Sequence, residues 1–184
     1  MHVDGEACVC TSGFPERDRL VSNVFSRSGP ATRLIPEMSF TCDGTIVGFT
    51  AAVNQQNGEQ DPMIQVWSEN SSQPGVYYKT TADIAIDGAV CVDGLTEVSS
   101  RVFHCNLNES ARVSVQPGDI LGLELPPVND DDVILSFANV TRGPTNYVFE
   151  QQPLSSPVVL SQNSNSVNQD LPQISLEVEP GTSS

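Results

Sequence analysis

The segment Val115-Gln116-Pro117-Gly118-Asp119-Ile120-Leu121-Gly122-Leu123-Glu124-Leu125 restricts the folds open to this chain more than any other. Pro117 presets its φ and Gly118 accepts positive φ, as a type II turn requires at its two central positions. After the turn, Leu121, Leu123 and Leu125 fall on one side of an extended chain, with Gly122 and Glu124 on the other. Pro126-Pro127 then stops the strand. The same period of two returns at Val133, Leu135 and Phe137, and again at Ile174, Leu176 and Val178. No window keeps helical periodicity over about ten residues or more. About a dozen short strands at regular spacing predict an all-β chain, an antiparallel β-sandwich with a jelly-roll winding.

The remaining segments fit that plan. Leu20 to Phe25, Met63 to Trp67, Val76 to Lys79, Ile84 to Ile86, Arg101 to Leu107 and Ala111 to Val115 are β-prone, and Tyr147 to Phe149 and Val158 to Leu160 are shorter pieces. Met38 to Cys42 and Ile46 to Val53 flank Asp43-Gly44, which predicts a hairpin with its loop there. Residues 54–62 and 161–172 are polar and predict loops. The expected boundaries are a tail over 1–18, the sandwich over 19–180 and a second tail over 181–184. Within the first tail, Cys8-Val9-Cys10-Thr11-Ser12-Gly13-Phe14 has two readings. It is the remnant of a preceding EGF-like module, or a disordered leader whose cysteine pairs with the core.

Charge narrows the partners. The chain has 8 Lys plus Arg against 23 Asp plus Glu, a net −15. Lys79 is its single lysine and the arginines are scattered. Phosphate surfaces need clustered cations, so nucleic acid and anionic membrane surfaces are poor partners, and no nucleic acid and no direct membrane insertion are expected. An acidic surface suits divalent cations, basic partners or plain solubility. No run of about 18 apolar residues exists, so no transmembrane helix is expected. The first six residues lack a basic-then-apolar leader, which says little about compartment because Met1 fits a gene fragment.

Five cysteines, Cys8, Cys10, Cys42, Cys91 and Cys105, contain no Cys-x-x-Cys pair, and only His2 and His104 accompany them. Zinc spacing is absent, so the cysteines point to disulfides. Cys91 and Cys105 flank a loop and can join neighbouring strands, while Cys42 can reach Cys8 or Cys10. The odd cysteine is a free thiol, bonds another chain or lacks its partner here. Asn70, Asn108 and Asn139 each begin an Asn-x-Ser/Thr triplet near a predicted turn or strand end. Disulfides and glycan acceptors together predict an oxidising, extracellular setting, secreted or at the cell surface.

Pro36-Glu37-Met38-Ser39-Phe40-Thr41-Cys42-Asp43-Gly44-Thr45-Ile46 resembles a P-E-x-x-F-x-C-x-G-x-I opening. Ile64-Gln65-Val66-Trp67, Tyr77-Tyr78, Val115 to Leu125, Pro144 to Phe149 and Pro172-Gln173-Ile174 follow in matching order. Together they resemble an extracellular β-sandwich module abundant in sponge, and some cnidarian, multidomain cell-surface proteins. The likeness covers roughly 19–180. Such modules stand beside EGF-like, fibronectin-like and sushi-like domains, so the resemblance implies a cell-surface or matrix role and supplies no catalytic residues.

Three constellations carry candidate chemistry. Asp130, Asp131 and Asp132 offer hard oxygen ligands for Ca²⁺, with Asp43, Asp61 or Asp119 as further ligands if the fold gathers them. The competing reading is a solvated acidic turn. Trp67, Tyr77, Tyr78 and Tyr147 offer a sugar platform, with a core position competing for Trp67. Tyr77 and Tyr78 must point to opposite faces. His104 reads as a surface or edge residue. No catalytic residue is predicted, as the Gly-x-Ser-x-Gly, His-Glu-x-x-His and phosphate-loop signatures are all missing. The expectation is a non-enzymatic recognition or adhesion module that meets a protein or glycan on a surface or in matrix. The alternative is a secreted lectin using Ca²⁺, and a further class is a hydrolase built on an acidic pair.

Overall fold

A computed structural model of the chain describes residues 10–22, 25–26, 30–53, 60–80, 82–126, 135–151, 153–162 and 164–181. The strands in the first half are β1 (Thr11–Ser12), β2 (Phe25–Ser26), β3 (Ala31–Phe40), β4 (Gly44–Ala52), β5 (Met63–Glu69), β6 (Val76–Lys79) and β7 (Ile84–Ala85). Next come β8 (Thr96–Ser99), β9 (Val102–Asn106), β10 (Val113–Val115), β11 (Ile120–Leu125) and β12 (Ser136–Asn139). The last are β13 (Asn146–Phe149), β14 (Val158–Val159), β15 (Asn165–Val167), β16 (Asp170–Pro172) and β17 (Ile174–Pro180). Helical structure among the described residues is limited to single 3₁₀ turns at Arg17–Arg19, Gly88–Val90 and Glu109–Ala111.

The Pro117-Gly118 turn forms as its residues dictate. Gly118 sits at φ +91° and the Asp119 N–H donates to the Gln116 carbonyl at 3.1 Å. The Asp119 carboxylate closes the turn again by accepting the Gln116 N–H at 2.9 Å. β11 leaves this turn as the centre of a nine-stranded sheet ordered β14-β6-β5-β11-β3-β13-β15, with β1 on β3 and β7 on β5. Opposite it lies a five-stranded sheet in which β4 pairs with β10, β9 and β17, and β8 closes the edge beside β9. β2, β12 and β16 form a smaller third sheet. These ladders are all antiparallel, and the sheets curl into a half-barrel, so the expected all-β sandwich class is found.

The main core fills the space between the sheets. Leu121, Leu123 and Leu125 meet Phe49, Ala51 and Phe103 there, and Leu135, Phe137 and Ile174 join them. The leucine alternation on β11 thus marks the inward face. Its other face is not wet. On the outside of the large sheet, Leu154 and Leu160, on either side of β14, pack with Leu34, Trp67, Ile120 and Val158. This second apolar layer buries β11 on both sides. It also explains Gly122: a Cβ at that position would stand 2.6 Å from the Trp67 indole.

Several local expectations are corrected. β3 and β4 do not pair as a hairpin: β3 lies in the nine-stranded sheet and β4 in the five-stranded one. The chain crosses between layers at Asp43-Gly44, and the Asp43 carbonyl there accepts the Gly181 N–H at 2.8 Å. Alternation tells which face is buried, but not whether the next strand lies beside or opposite. Residues 161–172, expected as a loop, contain two edge strands: β15 pairs with β13, and β16 pairs with β12 with Asp170 and Pro172 buried. Residues 10–18 are not a loose tail. β1 pairs with β3, Phe14 stacks 5.8 Å from Phe40, and Cys10 is disulfide-bonded to Cys42. Cys10 thus pairs with the core, but its segment is ordered, not a disordered leader, and Cys8 lies outside the described residues. Of the stretch Leu20 to Phe25, only Phe25 is in a strand among the described residues.

Candidate functional site

The second disulfide joins Cys91 to Cys105 on β9, so the two bonds are the expected Cys91–Cys105 and one of the two open choices for Cys42. A crosslink that closes a loop of this length stabilises by about 3 kcal/mol in a chain-entropy account. The sulfurs of Cys10, Cys91 and Cys105 belong to buried residues.

The aromatic candidates separate sharply. Trp67 is 0% exposed in the outer apolar layer, and its Nε1–H donates to Gln65 Oε1 at 2.9 Å. It has no free face on which a sugar could stack. Tyr77 is also buried, Tyr147 is half-buried against the same layer, and Tyr78 points outward at 38% exposure. The opposite orientation of the two adjacent tyrosines follows from the strand pleat. Burial, and then the neighbouring Glu69 carboxylate, hold the Tyr77 phenol above its ordinary pKa. An unfolded tyrosine releases its proton near pH 10, below the folded value. The unfolded state therefore binds fewer protons in that window, and stability falls as pH rises through it. Thermal melts from pH 8 to 11 are expected to show this fall, and Tyr77→Phe is expected to flatten it; an equal slope in both would contradict the assignment.

Of the acidic candidates, only Asp43, Asp61 and Asp119 are among the described residues. Asp130, Asp131 and Asp132 lie outside the described residues. Among the described residues, no group of three or more His, Cys, Asp or Glu is placed to hold a metal ion. Asp119 is buried as a turn clamp that accepts from Gln116 and from the Ser68 hydroxyl. The three sequon asparagines differ in exposure: Asn139 is exposed, and Asn70 and Asn108 are half-exposed.

Two polar groupings were not legible in sequence spacing. The first is buried: Arg33 reaches Asp170 Oδ2 and Asn146 Oδ1, each at 3.0 Å, and its guanidinium lies 5.1 Å from the Phe137 ring centre. The second lies on the outside of the five-stranded sheet. Thr50 Oγ1 approaches His104 Nδ1 at 3.0 Å, Glu177 Oε1 stands 3.5 Å from the same nitrogen, and Arg17 binds that carboxylate at 3.0 Å. These residue types suggest a nucleophile, base and acid, but the geometry does not fit that role. Hydroxyl and carboxylate both address Nδ1, leaving no relay through the ring, and Thr50 is fully buried. The grouping instead anchors residues 15–22 across the sheet.

That anchoring builds a face. The Val21 N–H donates to Gln173 Oε1 at 3.0 Å, and the Ser22 hydroxyl donates to the Ser100 carbonyl at 3.0 Å. Leu20 is buried against Ala52 and Val102. Two shallow depressions flank the Arg17–Arg19 turn. One, about 400 Å³, is lined by Arg17, Asp18, Val98 and Ser99. The other, about 430 Å³, includes Pro15, Val21, Ala138, Val140 and Leu171 in its lining. Val21 and Val98 are each 47% exposed, and every residue of the edge strand β8 is exposed. No protein-family model, curated protein or solved structure matches this chain.

Proposed function

We propose that this chain is a non-enzymatic recognition or adhesion module of a larger extracellular protein, and that the face around Val21 and Val98 is its contact surface. The observation that carries the reading is the apolar pair held open on either side of a turn that is itself pinned by an ion pair, two side-chain hydrogen bonds and a buried leucine. A rigid, partly apolar surface binds without the entropic cost of ordering a loop. The depressions are rimmed by Glu16, Asp18, Arg17 and Arg19, which suits a polar rim around an apolar centre. Two intrachain disulfides support an oxidising compartment. The partner is a protein or glycan on another surface, and the sponge-type module resemblance supports the same role. A lectin reading would have to rest on Tyr78 in place of Trp67.

Beads coated with the domain are expected to aggregate. Val21→Glu with Val98→Glu should reduce that aggregation roughly tenfold or more, as loss of an interface anchor does, while leaving the melting temperature unchanged. Aggregation indifferent to the two charges would contradict the assignment of this face, and dispersed beads would exclude a second copy of the chain as the partner and leave a different protein or a glycan. Repeating the assay in chelator tests Asp130 to Asp132 separately.

A further inference from the structure

Tyr78 is one of the few large apolar side chains left open, and it stands apart from the Val21 and Val98 face, on β6 opposite Ser68. Next to it is Asn70, in the turn that follows β5. The third residue of the sequon is folded back onto its first: Ser72 donates to Asn70 Oδ1 from its N–H at 3.0 Å and from its hydroxyl at 2.8 Å. This pair of bonds fixes the amide plane. The two hydrogens of Nδ2 are then directed at Gln73 Oε1 and at the Tyr78 hydroxyl, each 3.3 Å away. Ser71 to Pro74 are exposed, so the turn is accessible to an enzyme. Asn108 differs, since it turns Nδ2 to the Ala89 carbonyl at 3.4 Å.

We propose that Asn70 carries an N-linked glycan and that the Tyr78 ring is the seat of its first sugar. A substituent replacing the hydrogen directed at Tyr78 is placed against the phenol. The apolar C–H face of a pyranose then covers an aromatic surface that is otherwise wet. The donor class is an oligosaccharide carried on a polyprenyl diphosphate. Asn70 Nδ2 bonds to sugar C1, the bond from C1 to the diphosphate oxygen breaks, and the lipid diphosphate leaves with its electron pair. The transferase base takes one Nδ2 proton. This rests on the secretory setting proposed above, but not on the contact face.

The test uses the chain secreted from animal cells with Asn108→Gln and Asn139→Gln, trimmed by endoglycosidase to one sugar. Glycopeptide mass spectrometry is expected to find Asn70 occupied, and Ser72→Ala to abolish occupancy. The trimmed form is expected to melt about 2–4 °C above its Asn70→Gln counterpart, the shift of a single aromatic contact in a domain of this size. In a Tyr78→Ala background that gain should vanish while occupancy persists. An empty Asn70 on a secreted chain overturns the site. A gain that survives Tyr78→Ala overturns the seat. Either failure leaves the bead result untouched, so the two readings fail separately.

Discussion

Asp170→Ala is expected to cost about 3–5 kcal/mol of folding stability, the usual result of removing one partner of a buried ion pair. Asp170 is 1% exposed and Arg33 6%. The guanidinium is held between Asp170, the Asn146 amide oxygen and the Phe137 ring. Deleting the carboxylate leaves a charge in the interior that water cannot reach. The pair also joins layers, because Arg33 lies on β3 of the large sheet and Asp170 on β16 of the small one. Denaturant unfolding measures the loss; a change below about 1 kcal/mol would show that solvent screens the site. Arg33→Met combined with Asp170→Leu should lose much less than either partner's removal alone, since an apolar replacement leaves no charge to solvate.

Trp67→Ala is expected to cost a similar amount, about 3–5 kcal/mol, as other large aromatic truncations in cores do. The indole packs with Leu34, Tyr77, Ile120, Leu154 and Leu160 on the outside of the large sheet, and Gly122 lies directly beneath it. No Cβ at position 122 can move in to fill the space. The change also removes the donor to Gln65 Oε1 in a side chain 2% exposed, which adds the penalty of an unsatisfied buried group. Tyr78→Ala, on the rim of the same sheet, is expected to change stability by well under 1 kcal/mol. Equal effects of the two substitutions would contradict the division between a core tryptophan and a surface tyrosine.

Period-two patterning made the fold class legible, since it reports which residues face a core. It identified the three leucines of β11 and the opposed orientations of Tyr77 and Tyr78. It could not distinguish a lateral neighbour from a facing one, which is why Asp43-Gly44 suggests a hairpin and forms a crossover. It also could not reveal that Gly122 and Glu124 are buried, since position 122 lies against Trp67 of β5 and Leu34 of β3, neighbours that only the folded sheet supplies. Edge strand β15 is Asn-Ser-Val and β16 is Asp-Leu-Pro, too short and mixed to show the alternation that marks the other strands. Of the candidate sites, the disulfide role of the cysteines was readable in the sequence, while spacing left their pairing open. Arg33 with Asp170, and the face around Val21 and Val98, were not, as each joins residues separated by most of a domain. Isolated valines in polar segments carry no signal of the surface they share.

The most direct test of an extracellular module is mass spectrometry of the protein from its native source, digested without reduction. The expected result is a peptide linking Cys10 to Cys42, a second linking Cys91 to Cys105, and glycan on at least one of Asn70, Asn108 and Asn139. Finding every cysteine reduced and every acceptor bare would contradict the account.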